Sequence, residues 1–259
     1  MDPARIAREA RAIADPDVCC FQEVAAGFAA LPGSSGEDQA ALLTAGFPGF
    51  SAHFAWGVDV PGAEGGRSRF GNLILSRLPV RRVLRHALPW PAAPGLPSMP
   101  RVALEAVIDA PGGALRVVTT HLEYYSGEQR AAQIARLLEL QAEAAAHAAA
   151  APSAQYAAGP FAPLERPAAS ILTGDFNMRP EDPLLAHLGA VYADAWRLAR
   201  PGEPHAPTFR LHGAGPGETP YCCDYIFVSE GLAARVADVS VDARTQASDH
   251  QPVVLRLRP

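Results

Sequence analysis

The sequence predicts an α+β protein in which two packed, mostly antiparallel β-sheets carry helices on their outer sides. Three observations predict it. Many short apolar runs are bounded by Gly and Pro and read as strands. Few stretches show helical periodicity. The 259 residues, 49% hydrophobic and 19% charged, are enough to bury a large core, and one domain over 1–259 is as reasonable as two. Many strands with few helices bury their apolar faces best as sheet on sheet with helices outside.

The elements follow in order. Asp2-Pro3 opens a helix, with Asp as N-cap and Pro at the first helical position, and Ile6, Ala10 and Ile13 form its apolar stripe. "DVCCFQEV" is a buried strand that ends on Gln22 and Glu23. "FGNLILSRLPV" (Phe70 to Val80), "RVALEAVIDA", "ALRVVTTHL" and "ASILTGDFN" are further strands. A long helix begins near Glu128, with Ile134, Leu137 and Leu138 on one face, and dissolves into an Ala/Pro-rich surface loop over about 150–168. A short helix (Pro183 to Leu188), a Pro/Gly-rich stretch to Pro220, and the strands "YCCDYIFVS", "ADVSVDA" and "PVVLRLR" complete the chain. No internal repeat or independent linker is evident.

Composition narrows the function classes. The 22 basic residues, all Arg, against 27 acidic ones give a net charge of −5, so no overall basic field attracts nucleic acid. Met1 to Val18 holds no apolar core of the signal-peptide kind, and no run is long enough to cross a bilayer. Cys19-Cys20 and Cys222-Cys223 are adjacent pairs in apolar runs, without zinc-ligand spacing, and read as buried free thiols. The reading is a cytoplasmic monomer.

The chemistry lies at the strand ends. "ASILTGDFNMRP" runs apolar and stops on Gly174, Asp175 and Asn177. Residues i and i+2 leave a strand on the same face, so Asp175 and Asn177 point together while Phe176 turns back into the protein. A carboxylate beside an amide is a hard oxygen site suited to Mg²⁺, an activated water or a phosphate oxygen. Gly-Asp-x-Asn is also good turn chemistry. Glu23, His121, Asp224, Asp249 and His250 repeat the pattern, each at or within the end of an apolar run. Asp224 needs a partner if buried, and histidine is the natural one.

"CFQEV", "FGNLILSR", "VVTTHLEY", "LTGDFN", "CDYIFVS" and "ASDHQPV", in this order over nearly the whole chain, resemble the endonuclease/exonuclease/phosphatase superfamily with its DNase I-like fold. The resemblance implies a four-layer α/β/β/α sandwich and metal-dependent phosphoesterase activity at one sheet edge, with Mg²⁺ or Mn²⁺ as cofactor. It implies that Glu23 and Asp249 bind metal, and that Asp175 and Asn177 orient the attacking water and contact the scissile phosphate. By the same resemblance His250 is expected to bind the phosphate or take the water's proton, held in its tautomer by Asp224, with His121 near the leaving oxygen. It further implies that Asn72 serves substrate or a histidine and that Arg101 contacts phosphate.

One departure stands out. The resemblance implies a strand ending in Asn ahead of the first helix, whereas here Met1 directly precedes that helix's N-cap, so the expectation is a chain truncated at that end. The substrate expected is a phosphodiester; the acidic balance argues mildly against a nucleic-acid duplex, while Arg67, Arg69 and Arg101 offer a local basic rim and Tyr124 and Tyr125 beyond "HL" are packing or base-stacking residues. A phosphomonoester of a small metabolite or lipid head group, and a non-catalytic member that binds a phospho-ligand, are the alternatives.

Overall fold

Local chemistry sets the first element as expected. The Asp2 carboxylate accepts the Arg5 N–H at 3.0 Å, and Pro3 takes the first position of α1 (Pro3–Ala14). The computed structural model describes residues 2–62, 65–151, 155, 158–163, 165–215 and 217–259. After α1 come β1 (Val18–Ala26), α2 (Gln39–Ala45), β2 (Ser51–Pro61), β3 (Arg67–Ser76), β4 (Val80–Ala87), β5 (Val102–Ala110) and β6 (Gly113–His121). Then follow α3 (Gly127–Ala149), β7 (Ser170–Asp175), α4 (Leu184–Leu188), β8 (Tyr192–Asp194) and α5 (Ala195–Ala199). β9 (Asp224–Ser229), α6 (Glu230–Ala233), β10 (Val236–Val241) and β11 (Val253–Leu257) complete the order. Among these, α2, β2, β4, β8, α5 and α6 had no counterpart in the sequence reading, and the strand expected over Phe70 to Val80 ends at Ser76.

The large sheet has the order β4-β5-β6-β7-β9-β8, and its one parallel pairing among the described residues is β6 with β7. Opposite it lie β1-β3-β2 and the separate hairpin β10-β11, both antiparallel. Ile74 meets Leu104, Ala106 and Ile108 between the layers, with Val236 and Val239 from β10 in the same cluster. On the outer face of the large sheet, Ile134, Leu137 and Leu140 of α3 cover Val118, Leu172 and Phe227. Ala7 of α1 and Leu43 of α2 cover Val24, Leu73 and Leu75 on the opposite side. The result is the expected helix, sheet, sheet, helix layering. No helix of the described residues is long and apolar enough to cross a membrane.

Parts of the expected Ala/Pro-rich loop (152–154, 156, 157 and 164) lie outside the described residues. Its end departs from a surface loop. Arg166 is buried, and its guanidinium donates twice to the fully buried Glu105 at 2.9 Å. Arg116 and His86 approach the same carboxylate at 3.1 and 3.0 Å, so the charge is compensated by three partners.

Between β1 and β11 runs a cavity of about 770 Å³, roofed by Ile6, Ala10 and Ile13 of α1 and floored by Ile108, Val117 and Ile171 of the large sheet. β1 pairs on one side with β3, and β11 on one side with β10. The predicted stripe of α1 thus faces a slot with two strand edges as walls. The slot opens at one end onto Glu23, Asp175 and His250.

At that end β7 approaches β6 closely. Gly174 has φ +143°, and a Cβ there would meet the Thr120 carbonyl oxygen at 1.9 Å. We expect Gly174→Ala to destabilise the fold by roughly 3 kcal/mol or more, read from denaturant unfolding. A loss below about 0.5 kcal/mol would show that β6 and β7 do not approach in this way.

Candidate active site

Strand register builds the site's first row. His121 pairs with Asp175 across β6 and β7, and Asp175 with Asp224 across β7 and β9. His121 and Asp175 end their strands and Asp224 begins its own, so all three sit along one edge of the large sheet. Asp224 was expected within a strand; β9 instead starts at it, leaving Cys222 and Cys223 in the preceding segment.

Beyond β7 the turn and the oxygen site are one structure. Asp175 Oδ1 accepts the Asn177 N–H at 2.8 Å, and Asn177 sits at φ +52°. Phe176 is fully buried, and the Asn177 amide donates to the Leu122 carbonyl at 2.9 Å, which fixes its side chain beside Asp175. His250 arrives from the segment before β11. Its Nδ1 lies 2.9 Å from Asp224 Oδ2 and its Nε2 3.9 Å from Asp175 Oδ2. His121 Nε2 is 3.6 Å from Asp175 Oδ2 and 3.7 Å from Glu23 Oε1.

Glu23 comes from the opposite sheet. It does not end β1; it occupies a register shift between Phe21 and Val24, at φ +58°. The bulge turns its carboxylate toward the large sheet. Asp249 lines the same cavity as Glu23, Asp175, Asp224 and His250. Glu23, Asn177 and Arg210, whose N–H donates to the Asp249 carbonyl at 3.0 Å, are three of the four non-glycine residues with positive φ among those described. Such strain concentrates where a fold must aim a functional group.

The two expected substrate residues differ. Arg101 is buried, held by Glu123 at 3.4 Å, and its Nη1 finds no partner among the described residues. Asn72 is buried with its amide nitrogen committed to the Val102 carbonyl at 2.9 Å, and no hydrogen bond joins it to a histidine. The expected rim of Arg67 and Arg69 is half neutralised, because both guanidinia share the one Asp59 carboxylate, at 2.7 and 3.6 Å. Tyr124 and Tyr125 pack edge-on against each other and remain about half exposed, at 48% and 55%.

Sequence reasoning missed two supporting residues. Glu123 positions Arg101 and is itself fully buried. Thr208 Oγ1 accepts the N–H groups of Cys223 and Asp224 at 3.1 and 3.2 Å, while its carbonyl accepts the Gln251 N–H at 2.6 Å. It thereby ties the segment carrying Asp224 to the segment carrying His250. Glu123 follows His121 inside "THLEY" and was legible as a buried carboxylate in want of a partner; a lone Thr in "PTFR" carries no such signal.

Charge is unevenly distributed. Burial, then the nearby Asp224, pushes the Asp175 carboxyl up to about 7. Glu23 is also raised, first by burial and further by Asp249 and Asp224. Burial works against a charged His250, yet the hydrogen bond and charge of Asp224, with Asp175 and Asp249, carry it up to about 9. His121 is lowered well below the ordinary histidine value by burial, then by Arg101 and His250. His250 is therefore a cation at neutral pH and His121 a neutral imidazole. Asp249 and Asp224, whose charges help raise the Glu23 carboxyl, set several hard oxygen donors in one region, a chemistry that suits a divalent cation.

The sequence profile of the Endonuclease/Exonuclease/phosphatase family matches residues 1–250. No curated protein gives a significant match. Among solved structures, the chain is similar to an endonuclease/exonuclease/phosphatase from Beutenbergia cavernae, at 27% identity and TM-score 0.64, over 99% of this chain and 66% of that one. The chain thus spans just under two thirds of that relative's length. It is similar in fold to the 3′ phosphatase NExo from Neisseria, bound to product DNA hairpin (21% identity, TM-score 0.61, 97% and 92% covered). A mannosyl-6-phosphatase from Bacteroides thetaiotaomicron shares the fold too (18% identity, TM-score 0.62, 99% and 90% covered).

The His250 shift has a measurable consequence for the metal-free protein. A histidine raised from 6.5 to about 9 binds its proton more tightly when folded. Its contribution to stability is complete below pH ~6.5 and is lost as pH rises through the folded pKa. Wild type should lose on the order of 2 kcal/mol more than His250→Gln between pH 7 and pH 10 in urea unfolding. Parallel pH profiles for the two proteins would contradict the ion pair.

Proposed function

The chain belongs to the Endonuclease/Exonuclease/phosphatase family, and from that premise we propose that it hydrolyses phosphodiesters with the aid of Mg²⁺ or Mn²⁺. The observation that carries this reading is the hydrogen-bonded His250–Asp224 pair, facing Asp175 across 3.9 Å in a cavity that also holds Glu23 and Asp249.

The charge states assign the roles. A His250 with its pKa near 9 already carries its proton at neutral pH, so it serves as the cationic partner of a phosphate oxygen rather than as the base. Asp175, raised toward neutrality, is the group that accepts the proton of the attacking water, and the Asn177 amide beside it orients that water. Arg101 offers its unpartnered Nη1 to a second phosphate oxygen. Neutral His121 supplies an N–H to the leaving oxygen. A divalent cation held by Glu23 and Asp249 would offset the charge of the phosphoryl group and polarise it.

The choice of diester follows from charge. His250, Arg101 and one divalent cation face Glu23, Asp175, Asp224, Asp249 and the Glu123 held against Arg101, which leaves no positive excess, and a diester brings one negative charge into that field where a monoester brings up to two. Assay against bis(p-nitrophenyl) phosphate and p-nitrophenyl phosphate, with Mg²⁺ or Mn²⁺, should give faster turnover of the diester. Excess chelator should abolish it. Full turnover in chelator would overturn the metal-assisted reading, and preferential cleavage of the monoester would overturn the choice of diester.

The pair itself is testable. His250→Ala should slow catalysis by roughly 10²- to 10⁴-fold, and Asp224→Asn should approach the same loss while staying folded, its stability at neutral pH lowered by no more than the roughly 2 kcal/mol that the ion pair supplies. The double mutant should be scarcely slower than His250→Ala alone. Multiplicative losses would mean that the two residues act separately.

A further inference from the structure

Cys223 has no part in the scheme above, yet its thiol lies against the catalytic pair. Sγ donates to Asp224 Oδ2 at 3.5 Å and stands 3.9 Å from His250 Nδ1. One ligand atom each from Asp175, Cys223, Asp224 and His250 falls within 4.8 Å of all the others. Its neighbour Cys222 is turned away: its thiol donates to the Asp224 backbone carbonyl at 3.4 Å and packs into the cluster under α3.

Tetrahedral zinc, with ligand distances of about 2.0–2.3 Å, sets its donors roughly 3.3–3.8 Å apart, so a contraction on the order of 1 Å would close this cluster around an ion. Thiolate, imidazole and carboxylate together favour zinc over magnesium, whereas Glu23 and Asp249 offer oxygen alone. His250 is about a quarter exposed (26%), and with Asp175 and Asp224 it lines the shared cavity, so three of the four donors are open to an ion from that side.

We propose that Cys223, His250, Asp224 and Asp175 form a second metal site, selective for thiophilic divalent ions such as Zn²⁺, whose occupation inhibits the enzyme. The ion would take the Cys223 sulfur and His250 Nδ1 as ligands, releasing the protons of both to solvent, and an Asp224 oxygen would turn from the ring to the metal. His250 could then no longer act as a cation toward phosphate. The inhibitory half of this inference rests on the proposed catalytic role of His250 and Asp224; the metal site rests on the donor geometry.

The test is cobalt substitution. Co²⁺ added to metal-free wild type should produce a near-ultraviolet thiolate-to-cobalt charge-transfer band that Zn²⁺ removes. The band should vanish in Cys223→Ser and persist in Cys222→Ser. Under saturating Mg²⁺, Zn²⁺ should inhibit wild type at concentrations at least ~10-fold below those needed for Cys223→Ser. No band in wild type, or its loss in Cys222→Ser alone, would overturn the site. Equal zinc inhibition of wild type and Cys223→Ser would overturn its inhibitory role. If the band behaves as expected while wild type cleaves no phosphate ester, the metal site stands and the catalytic reading fails.

Discussion

The register of three neighbouring strand ends governs the arrangement of this site. His121, Asp175 and Asp224 are direct partners across β6, β7 and β9, so the sheet's own hydrogen bonds set their spacing. Side chains alternate along a strand, so a slip of one residue in either ladder would turn one member of the row to the other face. Gly174 protects that register by letting the β7 backbone lie against Thr120 where a Cβ would collide. Phe176, clamped between Tyr225 and Phe227, anchors the turn immediately beyond.

This row places carboxylates where burial disfavours their charge, and the rest of the site answers that cost. His250 is drawn in and held protonated by Asp224, Asp175 and Asp249, whereas His121, buried near Arg101 and His250, stays neutral. Two imidazoles in one cleft thus reach opposite charge states through their neighbours. Arg101 adds a second cation, itself held by buried Glu123. The carboxylates that remain, Glu23 and Asp249, come from outside the row and share a cavity with it.

Much of this was legible because strands announce their ends. An apolar run that stops on Asp, His or Glu draws attention to the polar residue, and the resemblance of six ordered motifs to a known family implied the layered fold and the site list. What was not legible depended on backbone detail or distant partners. Nothing in "CFQEV" distinguishes a strand end from the bulge that turns Glu23 inward. Arg67 has the right side chain, but Asp59, remote from the motifs, claims it, and Val102 takes the Asn72 amide nitrogen while Asn72 Oδ1 has no partner among the described residues. Thr208 acts through two backbone amides, and Cys223 through proximity to a pair formed by residues 26 positions apart. The second strand was missed because its alternation is half-hearted: Trp56 and Val60 remain exposed on an edge of the smaller sheet.

The site is a property of the sandwich rather than of either sheet. The large sheet supplies the row, β1 supplies Glu23 through its bulge, and the segment leading into β11 supplies Asp249 and His250. Bringing like charges together from opposing layers opposes sheet packing at this edge, and the apolar contacts of Ile74, Leu104 and Ile108 deeper in the interface have to outweigh it. The slot between β1 and β11 removes strand pairing from the same region. Thr208 becomes more consequential there, since it joins the Asp224 and His250 segments without recourse to a continuous ladder. A cation held between Glu23 and Asp249 would act in the same sense, relieving repulsion across the layers and favouring the packed state in proportion to its binding. Catalytic geometry and sheet packing are in this way set by the same charges.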